Sequence, residues 1–146
     1  MLTTDLIIIG AGPGGYETAL LAARRGLSVA LIERGEVGGT CLNEGCIPTK
    51  ALCRTAAMVS DFAEAEAFGI KDVAFTLDFP AVMERKRAVV KQLRDGVESL
   101  ISNPNIHLLR GEARFVDALT VEAAGERVTA KDVIIATGSS SAMLPI

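Results

Sequence analysis

The feature that most constrains the fold is a glycine-rich turn between two short apolar runs. The run from Asp5 to Ile9 predicts a buried strand, and the turn of residues 10–15, GAGPGG, follows it directly. Residues 16–25 are rich in alanine and leucine and predict a helix that Gly26 ends. Residues 27–32 predict a second buried strand, which runs into Glu33. This order predicts an α/β fold built on a parallel sheet.

The turn has the spacing of a dinucleotide-binding fingerprint. Gly10 allows the tight turn, Gly12 lets the backbone approach a pyrophosphate, and Gly15 lets the helix pack closely on the strand. The start of the helix offers free N–H groups and the positive end of its dipole. We therefore predict a Rossmann-like unit whose turn, with Pro13 and Gly14 included, binds a pyrophosphate. The turn alone does not distinguish FAD from NAD.

An acidic residue follows the second strand at the expected distance. Glu33 lies 18 residues after Gly15, where a carboxylate can accept hydrogen bonds from an adenosine ribose. The same charge would repel a 2′-phosphate, which argues against NADP. Arg34, the next residue, is weak evidence for NADP, because its positive charge would attract a 2′-phosphate.

Composition excludes several classes of protein. A length of 146 residues with 49% apolar and 23% charged residues fits one globular domain. The net charge of −3 and the scattered basic residues indicate no nucleic-acid or membrane partner. The apolar run Leu6–Ile9 is too short to span a bilayer and lacks the basic flank of a secretory signal. We therefore expect a cytoplasmic protein, where a disulfide is usually catalytic or transient.

Two cysteines, Cys41 and Cys46, stand in the stretch GGTCLNEGCIPTK. A zinc site would need a second Cys or His pair, but the remaining candidates, Cys53 and His107, are far apart, so we expect no metal. Two unpaired cysteines that pack in a core are a further alternative. The third interpretation, a redox disulfide, is the one we favour.

A redox disulfide requires a distorted helix. On an ideal helix, the Cα atoms of residues five apart are about 8–9 Å apart, whereas a disulfide needs about 4.4–6.8 Å. Gly45 loosens the backbone beside Cys46, and Pro48 cannot donate to the carbonyl of Glu44. We therefore expect the bridge to lie at a bent helix end, and to be labile.

Three stretches together resemble a known family. GAGPGGYETA, GGTCLNEGCIPTKAL and VIIATGS resemble the FAD domain of the class I pyridine nucleotide–disulfide oxidoreductases. Within it, Leu42-Asn43 and Ile47-Pro48 resemble the dihydrolipoamide dehydrogenase branch more than the glutathione or mercuric reductases. Glu44 departs from the small apolar residue that many relatives carry there. The resemblance implies FAD as the cofactor.

The resemblance also implies roles for individual residues. Cys46 would supply the sulfur next to the flavin, and Cys41 would be the interchange thiol that reacts with the substrate. Lys50, one helical turn after Cys46, matches the family lysine beside the flavin ring. The other positions implied to contact FAD are Gly10, Gly12, Pro13, Gly14, Gly15, Glu33, Arg34, Gly39, Thr40, Cys41, Ala113, Thr137, Gly138 and Ser139.

The rest of the chain predicts further elements of an α/β fold. Residues 51–62 continue a helix on which Cys53 is expected to pack, and a long helix begins at Pro80. A strand over 106–109 is followed by a small antiparallel meander near 112–116, 119–123 and 126–129, and by a buried strand over 132–136.

Residues 1–146 are expected to form the FAD-binding domain of a longer enzyme. The sequence has neither a second glycine fingerprint nor a His–Glu pair, so the NAD-binding and dimerisation domains are expected to be absent. The implied whole enzyme is a homodimer that oxidises dihydrolipoamide with NAD⁺, and the resemblance also implies a 2-oxoacid dehydrogenase complex as a partner. The alternatives are a glutathione- or mercuric-type disulfide reductase and a stand-alone FAD-binding module without turnover.

Overall fold

The computed structural model describes residues 1–144 and 146. Six strands and four α-helices follow one another along the chain, with a 3₁₀ helix at Ala65–Phe68. The strands are β1 (Leu2–Ile9), β2 (Val29–Glu33), β3 (Ile106–Arg110), β4 (Arg114–Phe115), β5 (Thr120–Ala123) and β6 (Glu126–Ile135). The helices are α1 (Pro13–Arg24), α2 (Gly39–Asn43), α3 (Cys46–Glu64) and α4 (Phe79–Ile101).

The chain divides into two compact units, and the sheet belongs to the first. Residues 1–39 and 94–146 form the first unit, and residues 40–93 form the second. The strand order is β3-β2-β1-β6-β5-β4. The first four strands are parallel, and β5 and β4 continue the sheet in antiparallel pairing. This confirms the predicted fold class, a Rossmann-like α/β sheet with a small antiparallel meander.

One strand, β6, belongs both to the antiparallel meander and to the parallel part of the sheet, which differs from the prediction. The sequence predicted separate strands over 126–129 and 132–136, whereas β6 runs without a break from Glu126 to Ile135. Its first residues pair with β5, and residues 128–135 pair with β1. Thr129 pairs with both neighbours, Thr3 and Thr120. No glycine or proline interrupts residues 126–135, so the strand has no turn residue at which to end.

The core of the first unit lies on both faces of the sheet. One buried cluster joins the parallel strands to the meander, and it contains Ile7, Ile9, Ala30, Ile32, Leu109, Val121, Ala123, Val128 and Ala130. Strand alternation places Ile8 and Leu31 on the opposite face. Helix α1 packs on that face. The close approach is seen at Gly15 of α1, where an added Cβ would lie 3.5 Å from the Ile8 side chain.

The ends of α1 explain two differences from the predicted boundaries. The helix begins at Pro13, because proline suits the first helical position, where its missing N–H needs no partner. At the other end, Gly26 has φ +82°, and the Leu27 N–H donates to the carbonyl of Ala22 at 3.1 Å. Leu27 therefore closes the helix, and β2 begins at Val29.

The second unit contains α3, the 3₁₀ helix and most of α4. Its chain runs without regular structure from Gly69 to Asp78, and the rings of Phe62 and Phe75 lie 5.3 Å apart. Asp78 caps α4 by accepting the Ala81 N–H at 3.0 Å. This cap places the start of α4 at Phe79, one residue before the predicted start at Pro80.

Asp5 ties together three strands at the amino end of the sheet, and this arrangement predicts a pH dependence of stability. Its carboxylate accepts a hydrogen bond from Lys131 of β6 at 2.7 Å, and bonds from the N–H and hydroxyl of Ser28, just before β2, at 3.0 and 2.8 Å. The bonds from Lys131 and then Ser28 hold the pKa of Asp5 well below its usual range.

We expect Asp5→Asn to destabilise the protein at pH 7. A carboxyl whose pKa is lowered by folding contributes stability above its unfolded pKa of about 3.9, and loses it as the pH falls further. The difference between wild type and variant should therefore shrink as the pH falls below about 4. Urea unfolding at pH 7 and at pH 3 measures it, with Asp61→Asn on the exposed side of α3 as the control. An Asp5→Asn effect of equal size at both pH values would contradict this account.

Candidate functional site

The carboxyl ends of the parallel strands meet at one edge of the sheet. The Gly10 N–H donates to the carbonyl of Ile32 at 2.7 Å, and the Ala136 N–H donates to the carbonyl of Ile9 at 2.8 Å. The Gly111 N–H donates to the carbonyl of Glu33 at 2.8 Å. These bonds fix the segments that follow β1, β2, β3 and β6 beside one another. Ligands of parallel α/β sheets bind at this kind of edge.

A cavity of about 380 Å³ opens at this edge. Seven of the predicted site residues line it: Gly10, Glu33, Arg34, Ala113, Thr137, Gly138 and Ser139. Five other lining residues were not predicted from the sequence: Ile9, Ile32, Gly111, Glu112 and Ser140. Ile9 and Ile32 are the strand residues just before Gly10 and Glu33, so adjacency to a predicted strand end is the signal that identifies them. The roles assigned to all these residues stay predictions.

The glycine turn is built by backbone contacts that leave no space for side chains. A Cβ on Gly15 would overlap the carbonyl oxygen of Gly10, and a Cβ on Gly10 would overlap that of Ala136. Gly39 has φ +68°, and a Cβ there would lie 2.9 Å from the Cα of Gly12. The close contacts here are therefore between backbone atoms. They join the glycine turn to Gly39 and to the segment after β6.

The start of α1 offers its N–H groups to an anion. Gly12 is the N-cap and Pro13 the first helical residue. Within the described part of the chain, no side chain caps this end, and its first turn has no acidic residue. The N–H groups of Gly15 and Tyr16 are used within the helix, since both donate to the Gly12 carbonyl at 2.9 Å, so an anion would be bound by the N–H groups that precede them. A helix start of this kind binds phosphate groups through free N–H groups and its dipole.

The Glu33 carboxylate contacts backbone on two sides. One oxygen, Oε2, accepts the Ala11 N–H at 2.7 Å, and the other, Oε1, accepts the Gly35 N–H at 2.8 Å. Glu33 is half-buried at the end of β2, and Ala11 is fully buried between Gly10 and Gly12. Glu33 therefore lines the cavity and is also hydrogen-bonded to the glycine turn.

The second unit contains the cysteine pair. A disulfide joins Cys41 of α2 to Cys46, the first residue of α3, and their Cα atoms are 4.7 Å apart. This distance lies within the range that a disulfide requires. The expected bend of one helix is replaced by a complete break between two helices, because Glu44 and Gly45 belong to neither of them.

Gly45 and Pro48 have different effects on this break. A Cβ on Gly45 would lie 3.2 Å from the carbonyl oxygen of Thr40 and 3.4 Å from the Cα of Cys41, so a side chain there would be tightly packed where the chain passes close to α2. Pro48 lies in the first turn of α3, where its missing N–H costs no hydrogen bond. The 19-residue helix α3 therefore starts at Cys46, one end of the disulfide.

The side chains around the disulfide are accessible. Both cysteines, Glu44 and Lys50 are exposed, as is Thr40. The sequence analysis expected Cys53 to pack, which is wrong, because this cysteine is unpaired and exposed on α3. Helix α3, which the structure describes over its whole length, buries little of its surface, since Ala51 is its one buried residue.

Two kinds of feature are absent from the described residues. No three His, Cys, Asp or Glu side chains there are grouped so that they could hold a metal ion. None of the helices in residues 1–144 is both long and apolar enough to cross a membrane.

Comparison with known proteins gives several strong matches. The dihydrolipoyl dehydrogenase of Chlamydia muridarum is 44% identical over 144 residues, which cover 97% of this chain and 31% of that protein. The dihydrolipoyl dehydrogenase of Thermus scotoductus is 48% identical over 139 residues, or 95% of this chain and 30% of that protein. The chain thus spans about a third of the length of these relatives.

A solved structure matches the whole chain. The Cu(II) complex of the HOCl-induced flavoprotein disulfide reductase RclA from Escherichia coli has a TM-score of 0.80 and 31% identity, and the match covers 100% of this chain and 31% of that one. The family model described as pyridine nucleotide-disulphide oxidoreductase matches residues 4–146. The family predicted from the three sequence stretches is confirmed: this chain belongs to the pyridine nucleotide-disulphide oxidoreductases.

Proposed function

We propose that this chain is the FAD-binding, cysteine-bearing part of a dihydrolipoyl dehydrogenase. The observation that carries the proposal is the Cys41–Cys46 disulfide, held between two helices and exposed, in a chain that also contains a dinucleotide-binding turn. The relatives at 44% and 48% identity that have this name support the choice of substrate class. The domain assignment, residues 1–146 as an FAD-binding domain, is part of the proposal.

The residues of the first unit fit the adenosine and pyrophosphate parts of FAD. The uncapped start of α1 suits the pyrophosphate, and the cavity beside Glu33 suits the adenosine. The proposed contacts are those of the sequence analysis, with Gly39, Thr40 and Lys50 assigned by resemblance. FAD, when bound, supplies a two-electron acceptor for the protein dithiol and passes a hydride on to NAD⁺.

The disulfide accepts two electrons from a dithiol by exchange. One thiolate of dihydrolipoamide attacks Sγ of Cys41, the Cys41–Cys46 bond breaks, and Cys46 leaves as a thiolate. The second substrate thiolate then attacks the substrate sulfur of the mixed disulfide and releases the Cys41 thiolate. The substrate becomes a cyclic disulfide, its two thiol protons pass to solvent, and both electrons remain on the two protein sulfurs.

The start of α3 determines which sulfur is the better leaving group. Cys46 is the first residue of this 19-residue helix, so the free N–H groups and positive dipole end stabilise negative charge on its sulfur. Cys41 lies in the five-residue helix α2 and lacks this stabilisation. Attack at Cys41 with departure of Cys46 is therefore the favoured direction, which agrees with the roles that the family resemblance implies.

The activity of the whole protein is also part of this proposal. We infer a cytoplasmic homodimer that uses NAD⁺ and a lipoyl dithiol, and that serves a 2-oxoacid dehydrogenase complex. A second candidate is a disulfide reductase with another substrate. The match at TM-score 0.80 to a flavoprotein disulfide reductase favours it, because the cysteine pair and flavin fold suit either class.

The first test measures FAD binding and thiol reactivity of the 146-residue chain. Titration with FAD, followed by quenching of flavin fluorescence, is expected to show binding at least about tenfold tighter than that of FMN, which lacks the adenosine and the pyrophosphate. Anaerobic reduction with dithiothreitol is then expected to produce a long-wavelength absorbance shoulder. A chain that binds neither flavin would contradict the proposed cofactor.

Reactivity of the disulfide distinguishes the two candidate substrates. Dihydrolipoamide is expected to reduce the oxidised chain at least about tenfold faster than glutathione does, because its second thiol completes the exchange within one molecule. The release of free thiols measures both rates, with the isolated peptide of residues 38–50 as the control. A faster reaction with glutathione would favour the second candidate.

A further inference from the structure

The Glu33 carboxylate has a contact that ribose binding does not require. Its Oε2 accepts the N–H of Ala11, which lies inside the glycine turn, at 2.7 Å. The Ala11 carbonyl accepts the N–H of Gly38 at 2.8 Å, so both backbone groups of Ala11 are bound from outside the turn. Because Ala11 is fully buried in the intact fold, its N–H depends on a partner from the protein, and Glu33 is that partner.

The bond from Ala11 is of the stronger kind. An N–H that donates to a carboxylate forms a charge-assisted hydrogen bond, roughly twice as strong as one between neutral groups. The second oxygen of Glu33 is held by Gly35 at 2.8 Å, so the carboxylate is fixed from two directions. Each oxygen accepts one of these bonds and has a further lone pair, so the carboxylate can still accept sugar hydroxyls.

We propose that Glu33 is a positioning residue for the phosphate-binding turn, in addition to its predicted contact with the ribose. It holds the Ala11 N–H and thereby keeps the Gly10–Gly12 backbone in the conformation that receives the pyrophosphate. The inference rests on the proposed function, since it concerns the same cofactor site. The proposed role differs from ribose binding in one respect. Glu33 affects phosphate binding through the Ala11 backbone, so no sugar hydroxyl is needed.

The ligand pair ADP and 2′,3′-dideoxyADP separates the two roles. Both carry the pyrophosphate and adenine, but the second lacks both ribose hydroxyls. Glu33→Ala is expected to weaken dideoxyADP binding by about 10- to 100-fold, because a buried N–H loses its partner and the turn loosens. Calorimetric titration measures both affinities. If dideoxyADP binds the variant as well as it binds wild type, Glu33 acts through the ribose alone and the proposal is wrong.

Two variants make the comparison specific. Glu33→Gln retains a carbonyl oxygen that can accept the buried Ala11 N–H, while water serves the exposed Gly35 N–H, so it should recover most of the dideoxyADP affinity. Glu36→Gln removes a carboxylate three residues away that binds Arg94 at 3.3 Å, and it should leave this affinity unchanged. An equal loss in all three variants would overturn the proposal, because Glu36 binds Arg94 rather than Ala11 and its replacement cannot act through the turn.

Hydrogen exchange tests the proposal without any ligand. The Ala11 amide should exchange about 10- to 100-fold faster in Glu33→Ala than in wild type, whereas the amides of Ile7 and Ile8 in the middle of β1 keep their protection. Unchanged protection of Ala11 would overturn the inference. If the chain bound neither ADP nor FAD, the proposed cofactor would fail, and amide exchange would still decide the role of Glu33.

Discussion

Replacing Gly15 by alanine is expected to destroy the dinucleotide site and to destabilise the first unit by about 3 kcal/mol or more. The added methyl group would overlap the carbonyl oxygen of Gly10, a backbone atom that cannot rotate away. Either α1 must move off the strand or the turn must open, and both changes remove the N–H groups from the phosphate site. Thermal unfolding measures the loss of stability, and FAD affinity should fall by at least about 100-fold.

The neighbouring glycine provides a matched control. Gly14 lies in the same first turn of α1, and a Cβ there would meet no atom of the structure within 4 Å. Gly14→Ala should therefore fold normally and raise stability by about 0.5–1 kcal/mol, because alanine is the better helix former, so it is the control for the stability measurement. The account would be wrong if both substitutions had the same effect, or if Gly15→Ala unfolded at the wild-type temperature.

Replacing Cys46 by serine is expected to abolish dithiol–disulfide exchange completely. Serine preserves the size of the side chain but cannot form the bridge to Cys41, so the chain cannot store two electrons on a sulfur pair. Loss of the short covalent loop should also cost about 2 kcal/mol in the chain-entropy description. Stopped-flow assay of lipoamide-dependent thiol exchange and urea unfolding measure these two effects.

Thiol counting checks the pairing directly. The oxidised wild-type chain should show one free thiol, Cys53, and three after reduction. In Cys46→Ser the reagent should find the same number before and after reduction. Cys53→Ser is the control, because Cys53 is unpaired and exposed on the same helix, and its exchange rate should match wild type. A slow exchange in Cys53→Ser, or residual exchange in Cys46→Ser, would implicate Cys53 in the chemistry.

Local sequence patterns predicted the elements that depend on nearest neighbours. The apolar run before the glycine turn predicted β1, and the alanine-rich stretch after it predicted α1, because strand and helix periodicities are visible within a few residues. The boundaries were less accurate where a capping contact decides them. Asp78 at the start of α4 and Leu27 at the end of α1 are examples, since each forms one specific hydrogen bond with the backbone.

The cysteine stretch was predictable because its geometry is local. A separation of five residues excludes a bridge on an ideal helix, so a bridge between Cys41 and Cys46 required a distortion near Gly45. The form of that distortion was not predictable. Whether the helix bends or breaks depends on the close approach of Gly45 to the Thr40 carbonyl, which no sequence pattern records.

By itself, the sequence determined the family and predicted the glycine turn and the pairing of two cysteines, because each of these is a short motif with a physical requirement at every position. Only the tertiary structure decided how distant segments combine. Residues near 10, 33, 112 and 138 line one cavity because β1, β2, β3 and β6 are parallel neighbours whose carboxyl ends meet at one edge. The pairing of β6 with both β1 and β5, and the bond from Ala11 to Glu33, join residues far apart in the chain. Contacts of this kind depend on strand order and register, which local periodicity does not specify.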